Sequence, residues 1–351
     1  MFLSKQSPMG RDLIARPYGR FFYIPMNLVK LGHEVHIILL CYKSSPTKTY
    51  YQHGIHWHSV SIYKYLGVSY FLLTYKLAKQ IKPDWIIGFS DTYYGILATW
   101  LARLCKTKSL IDAYDNYESY LPKLKPLHWL WRHAIKSADT VTAAGPGLAQ
   151  YMEQFRNNGR VEIMPMAADP DFNALLDKTE CRSELGLPRD TKLVGYCGSI
   201  SKNRGINTLL TAFTDLKKTN PGIKLVLSGR LDSSVTLPDF VIWLGYLPDD
   251  QLPKLIKSLD LVVAVNIPTK FGLHSYPVKI YEAIQSDTNV VATRTPATEW
   301  ILQDHPELLF EPNDVDDLIN KIKHSVPRVM HYEKKYSWEI ICKDFENILK
   351  N

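Results

Sequence analysis

The sequence predicts an α/β protein built from two doubly wound parallel sheets. Three observations carry that expectation. Short apolar runs alternate with helix-length amphipathic segments along nearly the whole chain. Several of those runs lack the polar alternate of a half-exposed strand, as strands covered on both faces do. At 351 residues, with 46% hydrophobic and 22% charged side chains, the chain suits about two domains, each with an ordinary core. Wholesale disorder, collagen-like structure and a small disulfide scaffold are thereby excluded.

Element by element, the first half offers strands at 33–40 (HEVHIILL), 55–62, 84–90, 108–115, 139–144 and 161–166. Helices are expected between them at 19–31, 67–80, 93–105, 126–137 and 146–155. The opening run MFLS is short for a central strand, which leaves a truncated strand or a late start as explanations. The second half repeats the alternation, with strands at 192–199, 223–229, 241–246, 259–265, 289–294 and 308–311. Its helices are expected at 205–218, 249–258, 277–285, 296–303, 313–325 and 337–349. Between the halves, PMAADPDFN (165–173) is dominated by turn chemistry. The expected domains are therefore residues 1–168 and 169–351. Ligands of such sheets sit at the carboxyl ends of the strands, so the site is expected in the cleft between the two domains.

Charge is divided unevenly. Residues 1–160 carry 13 Lys and 7 Arg against 9 acidic residues, a net +11. The remainder is mildly acidic, and the whole chain carries +7. A basic half points to an anionic partner: nucleic acid, an anionic membrane or a phosphorylated substrate all fit. The five cysteines are scattered, odd in number and without a CxxC pair, which favours a reducing compartment, the cytosol. MFLSKQSPMGRD lacks the apolar stretch of a signal peptide. The most apolar window, 86–105, contains Asp91 and Arg103 and reads as strand, loop and helix rather than a membrane span. His53, His56 and His58 lie close in sequence but show no ordered ligand spacing, so no metal site is expected.

Six phrases in one order resemble the group 1 glycosyltransferases, a family of two Rossmann-like domains (the GT-B fold) with retaining, family 4-like members. These are LVKLGHEVHIILL, IMPMAADPDFN, VGYCGSISKNRGINTLLTAF, WLGYLPDDQLPKLIKSLDLVV, YPVKIYEAI with NVVAT, and the closing YSWEIICKDFENIL. The resemblance covers roughly residues 30–350. It implies a nucleotide-sugar-binding second domain, an acceptor-binding first domain, and a final helix that crosses back to the first domain. It also implies transfer from a nucleotide-diphosphate sugar without a metal or other cofactor.

The residues themselves suit that chemistry. GSISKNRG runs from a strand into a helix, so Gly198, Ser199, Lys202 and Gly205 offer backbone N–H groups and charge to an anion. Arg204 stands where the family has its loop lysine and supplies a fixed charge with paired donors. Ser199 replaces the usual arginine, a loss that Lys202 can offset. Glu282 matches the glutamate that holds the nucleotide ribose, a task suited to a carboxylate accepting two hydroxyls. Lys279, three residues earlier, shares its helix face and is within reach of a phosphate. His274 stands where the family often has a second glutamate, and Tyr246 ends the phrase WLGY. Arg204 and Lys279 are the catalytic candidates. Simpler readings stay open: a strand–helix turn for the loop, a surface ion pair for Glu282 and Lys279. Asp287 and Asn289 replace the family's Gly and Pro, but both tolerate turns. In the first domain, Tyr114-Asp115 replaces the usual His-Asp, making Asp115 either the polar group facing the sugar or a turn cap. Gly10, in the basic loop SPMGRDLIARPYGR, allows close backbone approach to a ligand, unless that loop is merely flexible.

Two aromatic, basic segments, 50–79 and 117–136, suggest that the first domain touches an anionic membrane surface and presents a lipid-linked or glycan acceptor. The alternative is that those aromatics are core. The expected location is therefore cytoplasmic, peripheral on the inner face of the membrane, with no nucleic acid as partner, since no nucleic-acid-binding module is recognisable. Competing readings are a sugar-nucleotide epimerase or phosphorylase of the same fold, and a non-catalytic binding protein. The departures at Ser199, His274 and Tyr114 keep the last of these as an alternative to the transferase reading.

Overall fold

A computed structural model describes residues 1–63, 67–157, 159–173, 175–269 and 272–350. Residues 64–66 of the aromatic segment 50–79 lie outside that set. The chain divides into two compact units, Met1–Met166 with Tyr336–Asn351, and Ala167–Lys335.

In the first unit, eight strands form one sheet in the order β3-β4-β2-β1-β5-β6-β7-β8. They are β1 Phe2–Lys5, β2 Val35–Cys41, β3 Lys48–Gln52, β4 Ile55–Ser61, β5 Trp85–Gly88, β6 Lys108–Ala113, β7 Thr140–Ala143 and β8 Glu162–Ile163. Every pairing is parallel except that of β3 with β4. Despite its length β1 is central, pairing with β2 and β5 (Phe2 with Ile37 and Ile87). Phe2 and Leu3 are buried, and burial of such side chains supplies about 1.5–3 kcal/mol each. The helices are α1 Gly19–Lys30, α2 Val68–Ile81, α3 Thr92–Cys105, α4 Lys125–Ser137, α5 Pro146–Glu153 and, from the end of the chain, α12 Trp338–Lys350. The last of these is amphipathic: Trp338, Ile341, Cys342 and Phe345 are buried. Trp338 stacks on Tyr23 of α1 at 6.0 Å, and Trp85 Nε1 donates to Leu349 O at 2.9 Å. The final helix therefore belongs to the first unit, as the resemblance implies.

The second unit has six strands in the order β11-β10-β9-β12-β13-β14, all parallel. They are β9 Lys192–Cys197, β10 Ile223–Ser228, β11 Ile242–Trp243, β12 Leu261–Ala264, β13 Asn289–Thr293 and β14 Leu309–Phe310. Around them lie α6 Lys178–Glu184, α7 Ile206–Thr219, α8 Leu252–Ser258, α9 Val278–Gln285, α10 Pro296–Ile301 and α11 Val315–Ser325. The turn before β13 survives without its glycine because Asp287 adopts φ +53°, and Asn289 donates to Ser325 O and Arg328 O.

Two elements escaped the sequence reading. β3 (KTYYQ) is a largely exposed antiparallel edge strand, and α6 (KTECRSE) buries only Cys181 and Arg182. Neither has the apolar stripe from which a core element is recognised. In each sheet the strand order reverses beside one strand, β9 with β12 in the second unit and β1 with β5 in the first. Open parallel sheets bind ligands outside the carboxyl ends of strands at such a reversal.

Candidate functional site

The reversal in the second unit places the loop after β9 beside the loop after β12. The first begins at Gly198 and passes a 3-10 turn, Lys202–Arg204, and Gly205 before entering α7. Gly205 has φ +80°, and a Cβ there would lie 3.2 Å from Ile267 Cγ2 in the loop after β12. At the start of the loop, Gly198 N donates to Ser228 O and Ile200 N to Arg230 O, so its backbone is zipped to the end of β10. Gly229, at φ +138°, permits that approach, because a Cβ there would sit 1.8 Å from Gly198 O.

Those bonds revise the expectation that the whole loop offers N–H groups to an anion. The N–H groups of Gly198, Ile200, Arg204 and Gly205 already have carbonyl acceptors. In the first turn of α7, Thr208 N also donates to Gly205 O, so the leading N–H groups of that helix are the part of the segment suited to an anion. Exposed Ser199 and Lys202 and half-buried Arg204 flank it. Tyr196, at the end of β9, donates its hydroxyl to Ser199 O at 2.9 Å. Burial pushes the Tyr196 phenol up to about 12 against the opposing pull of the Arg204 guanidinium. Lys202 acts in turn on Asp232, whose carboxyl is held below its usual range mainly by hydrogen bonds from Ser234.

Glu282 sits in the middle of α9 with its carboxylate buried, and Lys279 Nζ donates to its Oε2 at 2.8 Å. This is an ion pair, but Glu282 is not the exposed glutamate of a surface pair: it is 7% exposed. Both charges act on Cys197 at the end of β9, whose thiol burial pushes up to about 12. The basic loop follows β9 and the Lys279–Glu282 pair follows β12, the neighbouring strand across the reversal. His274 lies in a 3-10 turn, Gly272–His274, in the loop after β12. Burial holds its imidazole below the usual value. Tyr246 follows β11, half exposed, with the Arg230 guanidinium 5.5 Å from its ring centroid.

Gly10 and Asp115 lie in the first unit. Gly10 ends a 3-10 turn, Pro8–Gly10, within a loop closed on itself. There Tyr18 donates to Pro8 O, Gln6 Nε2 donates to Asp12 Oδ2, and the Arg11 guanidinium lies 3.8 Å above the Tyr18 ring. Asp115 follows β6 and accepts the Tyr120 hydroxyl at 2.5 Å. Ser90, after β5, holds φ +71° and accepts from Ser4 Oγ at 3.0 Å. A hollow of about 310 Å³ opens nearby, lined in part by Gln6, Asp12, Tyr42 and Ser59.

Residues 177–326 match the family of glycosyl transferases group 1, and residues 26–172 match glycosyltransferase family 4. The chain belongs to the group 1 glycosyltransferases. Among curated relatives, the alpha-monoglucosyldiacylglycerol synthase of Streptococcus pneumoniae is 22% identical over 252 residues, 65% of this chain and 56% of that one. The lipopolysaccharide 1,2-N-acetylglucosaminetransferase of Salmonella typhimurium is 26% identical over 232 residues, 58% and 60% of the two chains. The chain thus spans about half the length of the curated relatives it matches first. Anabaena HepE, solved with UDP and glucose, has the same fold, with a TM-score of 0.75 over 100% of this chain and 99% of that one at 14% identity. Sucrose-phosphate synthase from Thermosynechococcus elongatus gives 0.73 over 99% and 98%, at 15% identity.

Within this glycosyltransferase fold, Gly198, Ser199, Lys202, Arg204 and Gly205 share the loop after β9, and Lys279 and Glu282 share α9, which follows the neighbouring strand β12. Three residues went unnoticed in the sequence. Gly229 admits the close approach to Gly198, Arg230 sits by Tyr246, and Asn266 braces its own loop by donating to Gly272 O at 3.3 Å. Only Gly229 carried a signal, as the glycine ending the run LVLSG. The other two depend on which strands are neighbours.

Proposed function

We propose that this chain transfers a sugar from a nucleotide-diphosphate sugar to a hydroxyl of a lipid-linked or polysaccharide acceptor. The observation that carries the proposal is that the loop from Gly198 to Gly205, with the first turn of α7, leaves β9 where the strand order reverses and packs by Gly205 against the loop after β12 that leads into α9, the helix bearing the Lys279–Glu282 pair. In this reading the bond from the anomeric carbon to the diphosphate breaks while the acceptor oxygen bonds to that carbon and loses its proton to the departing diphosphate. The departing diphosphate gains charge as the bond breaks. Arg204, Lys279 and the helix dipole stabilise that charge where it develops, and they take the place of a metal ion in the transfer. Glu282 receives the ribose hydroxyls. Ser199, Lys202, His274 and Tyr246 line the donor, Gly198 and Gly205 let the backbone close on it, and Gly10 and Asp115 serve the acceptor. Retention of anomeric configuration follows from the family resemblance.

HepE was solved with UDP and with UDP-glucose, which makes uridine nucleotides the first donors to try. A thermal-shift screen against nucleotides and nucleotide sugars tests the reading, because a true donor raises Tm by mass action, by about 2.7 kcal/mol of stability at a hundredfold excess over Kd. No shift with any nucleotide sugar would count against it. Arg204→Ala is expected to lower kcat and kcat/KM together by roughly 100- to 1,000-fold. An unchanged kcat would remove Arg204 from the transition state.

The acceptor reading places the chain in the cytoplasm, against the inner face of the membrane and without a nucleic-acid partner. Among the described residues no helix is long and apolar enough to span a bilayer. The aromatics divide: Trp57, Tyr70, Tyr117 and Trp131 are core, whereas Trp129 is 66% exposed. Leu121, Leu124 and Leu130 are exposed around Trp129, with Lys123 and Lys125 alongside. Exposed apolar side chains with two lysines in the same stretch of chain suit an anionic bilayer surface. The chain should float with anionic vesicles at low salt and not with neutral ones, and Trp129→Ala should reduce flotation.

A further inference from the structure

We propose that Glu34, His36 and His56 form a binding site for one divalent transition-metal ion on the first sheet. The site follows from strand geometry. Side chains two apart on a strand share a face, so Glu34 and His36 project together at the start of β2. The parallel register pairs His36 with His56 and Ile38 with His58, while β3 sets Tyr51 opposite His56 and Thr49 opposite His58. Three imidazoles and a carboxylate therefore gather at the amino ends of β2 and β4, away from the strand ends that bear the candidate sugar site.

The contacts match this placement. One ligand atom each from Glu34, His36 and His56 lies within 4.8 Å of the others. His36 Nε2 is 2.9 Å from Glu34 Oε1, and His36 Nδ1 is 3.3 Å from His58 Nε2. Thr49 Oγ1 in turn lies 3.4 Å from His58 Nδ1. His36 is buried and held at both ring nitrogens, so His58 is a positioning residue that aims His36 Nε2 toward Glu34, as outer-shell partners do for ligating histidines. His56 stacks on His36 at 4.5 Å between centroids and 12° between planes, and must rotate to bring a lone pair to the ion. It is only half buried, and Glu34 is exposed, so that rotation and ion entry are open. Two imidazoles and one carboxylate are the donors zinc and its neighbours prefer, and the fourth position falls to water. A bound ion would tie β2 to β4.

Zinc titration of the untagged, chelator-stripped full chain by calorimetry tests this. Saturation at one equivalent, with a rise in Tm, is expected. His36→Asn with His56→Asn should abolish that equivalent. Glu34→Gln, at an exposed position that leaves folding intact, should weaken it. His58→Gln should weaken it roughly 10- to 100-fold while keeping the stoichiometry at one. Failure of the parent to saturate overturns the proposal. So does a one-equivalent isotherm unchanged in the double variant, which would assign the zinc to the free cysteines instead.

Discussion

Each unit buries an arginine–aspartate pair, and the two pairs are built differently. In the second unit Arg182 Nη2 donates to Asp260 Oδ2 at 2.7 Å. Arg182 also donates to the carbonyls of Ser258, Arg189 and Thr191. Asp260 further accepts from Lys178 Nζ and Leu193 N, so both oxygens are engaged. In the first unit Arg20 Nη2 donates to Asp112 Oδ1 at 2.6 Å, with both side chains essentially inaccessible. Thr142 shares that same oxygen, while Arg20 Nε and Asp112 Oδ2 have no hydrogen-bond partner among the described residues. The difference follows position. Asp260 immediately precedes β12, at the amino end of its sheet, whereas Asp112 lies next to the end of β6, at the carboxyl end where ligands bind. In these two pairs, polar satisfaction is complete at the amino end of the sheet and incomplete at the carboxyl end.

The comparison can be broken by mutation. The largest effect is expected from Asp260→Asn, which leaves Arg182 buried without its counter-charge and should cost about 3–5 kcal/mol in urea unfolding. The pH dependence has a definite sign. Burial raises the Asp260 carboxyl, but Lys178, the Leu193 N–H and Arg182 outweigh it and hold the group below its usual range. Its contribution is therefore present above the ordinary carboxylate pKa of about 4 and is lost as pH falls through the lowered value. The gap between parent and Asp260→Asn should shrink accordingly in acid. A gap that widened in acid would contradict the assignment.

Next in size is a contrast of double variants. Replacing Arg20 and Asp112 together by Met and Leu removes the pair, the Arg20 bonds to Met164 O and Met166 Sδ and the acceptor of the Thr142 hydroxyl, and should cost about 1–2 kcal/mol. The same exchange at Arg182 and Asp260 strands the carbonyls of Ser258, Arg189 and Thr191 and the Leu193 N–H, and should cost clearly more. Equal costs would erase the distinction between the two ends. The smallest effect is expected from Gly205→Ala, about 1–2 kcal/mol from the left-handed φ, with weaker nucleotide binding in the same thermal-shift assay.

Much of the donor-side site could be read locally, because the loop from Gly198 to Gly205 and the Lys279–Glu282 spacing are short-range patterns. Their placement on neighbouring strands could not, since it depends on β9 lying between β10 and β12. The first-unit pair was invisible for the same reason: Arg20 and Asp112 are 92 residues apart. The edge strand β3 stayed hidden because its residues are largely exposed and carry no apolar alternation.

By itself the sequence determined the two α/β halves, the turn-rich junction at 165–173, the family and the basic phosphate-loop candidate. Each is written in residues near one another, through hydrophobic period, turn chemistry or spacing. Tertiary structure alone decided which loop N–H groups are already spent in pairing with β10, and which aromatics are core. It also decided that Glu282 is buried, and that Glu34, His36 and His56 converge. These depend on strand order and register, which juxtapose residues far apart in the chain and which no local pattern encodes.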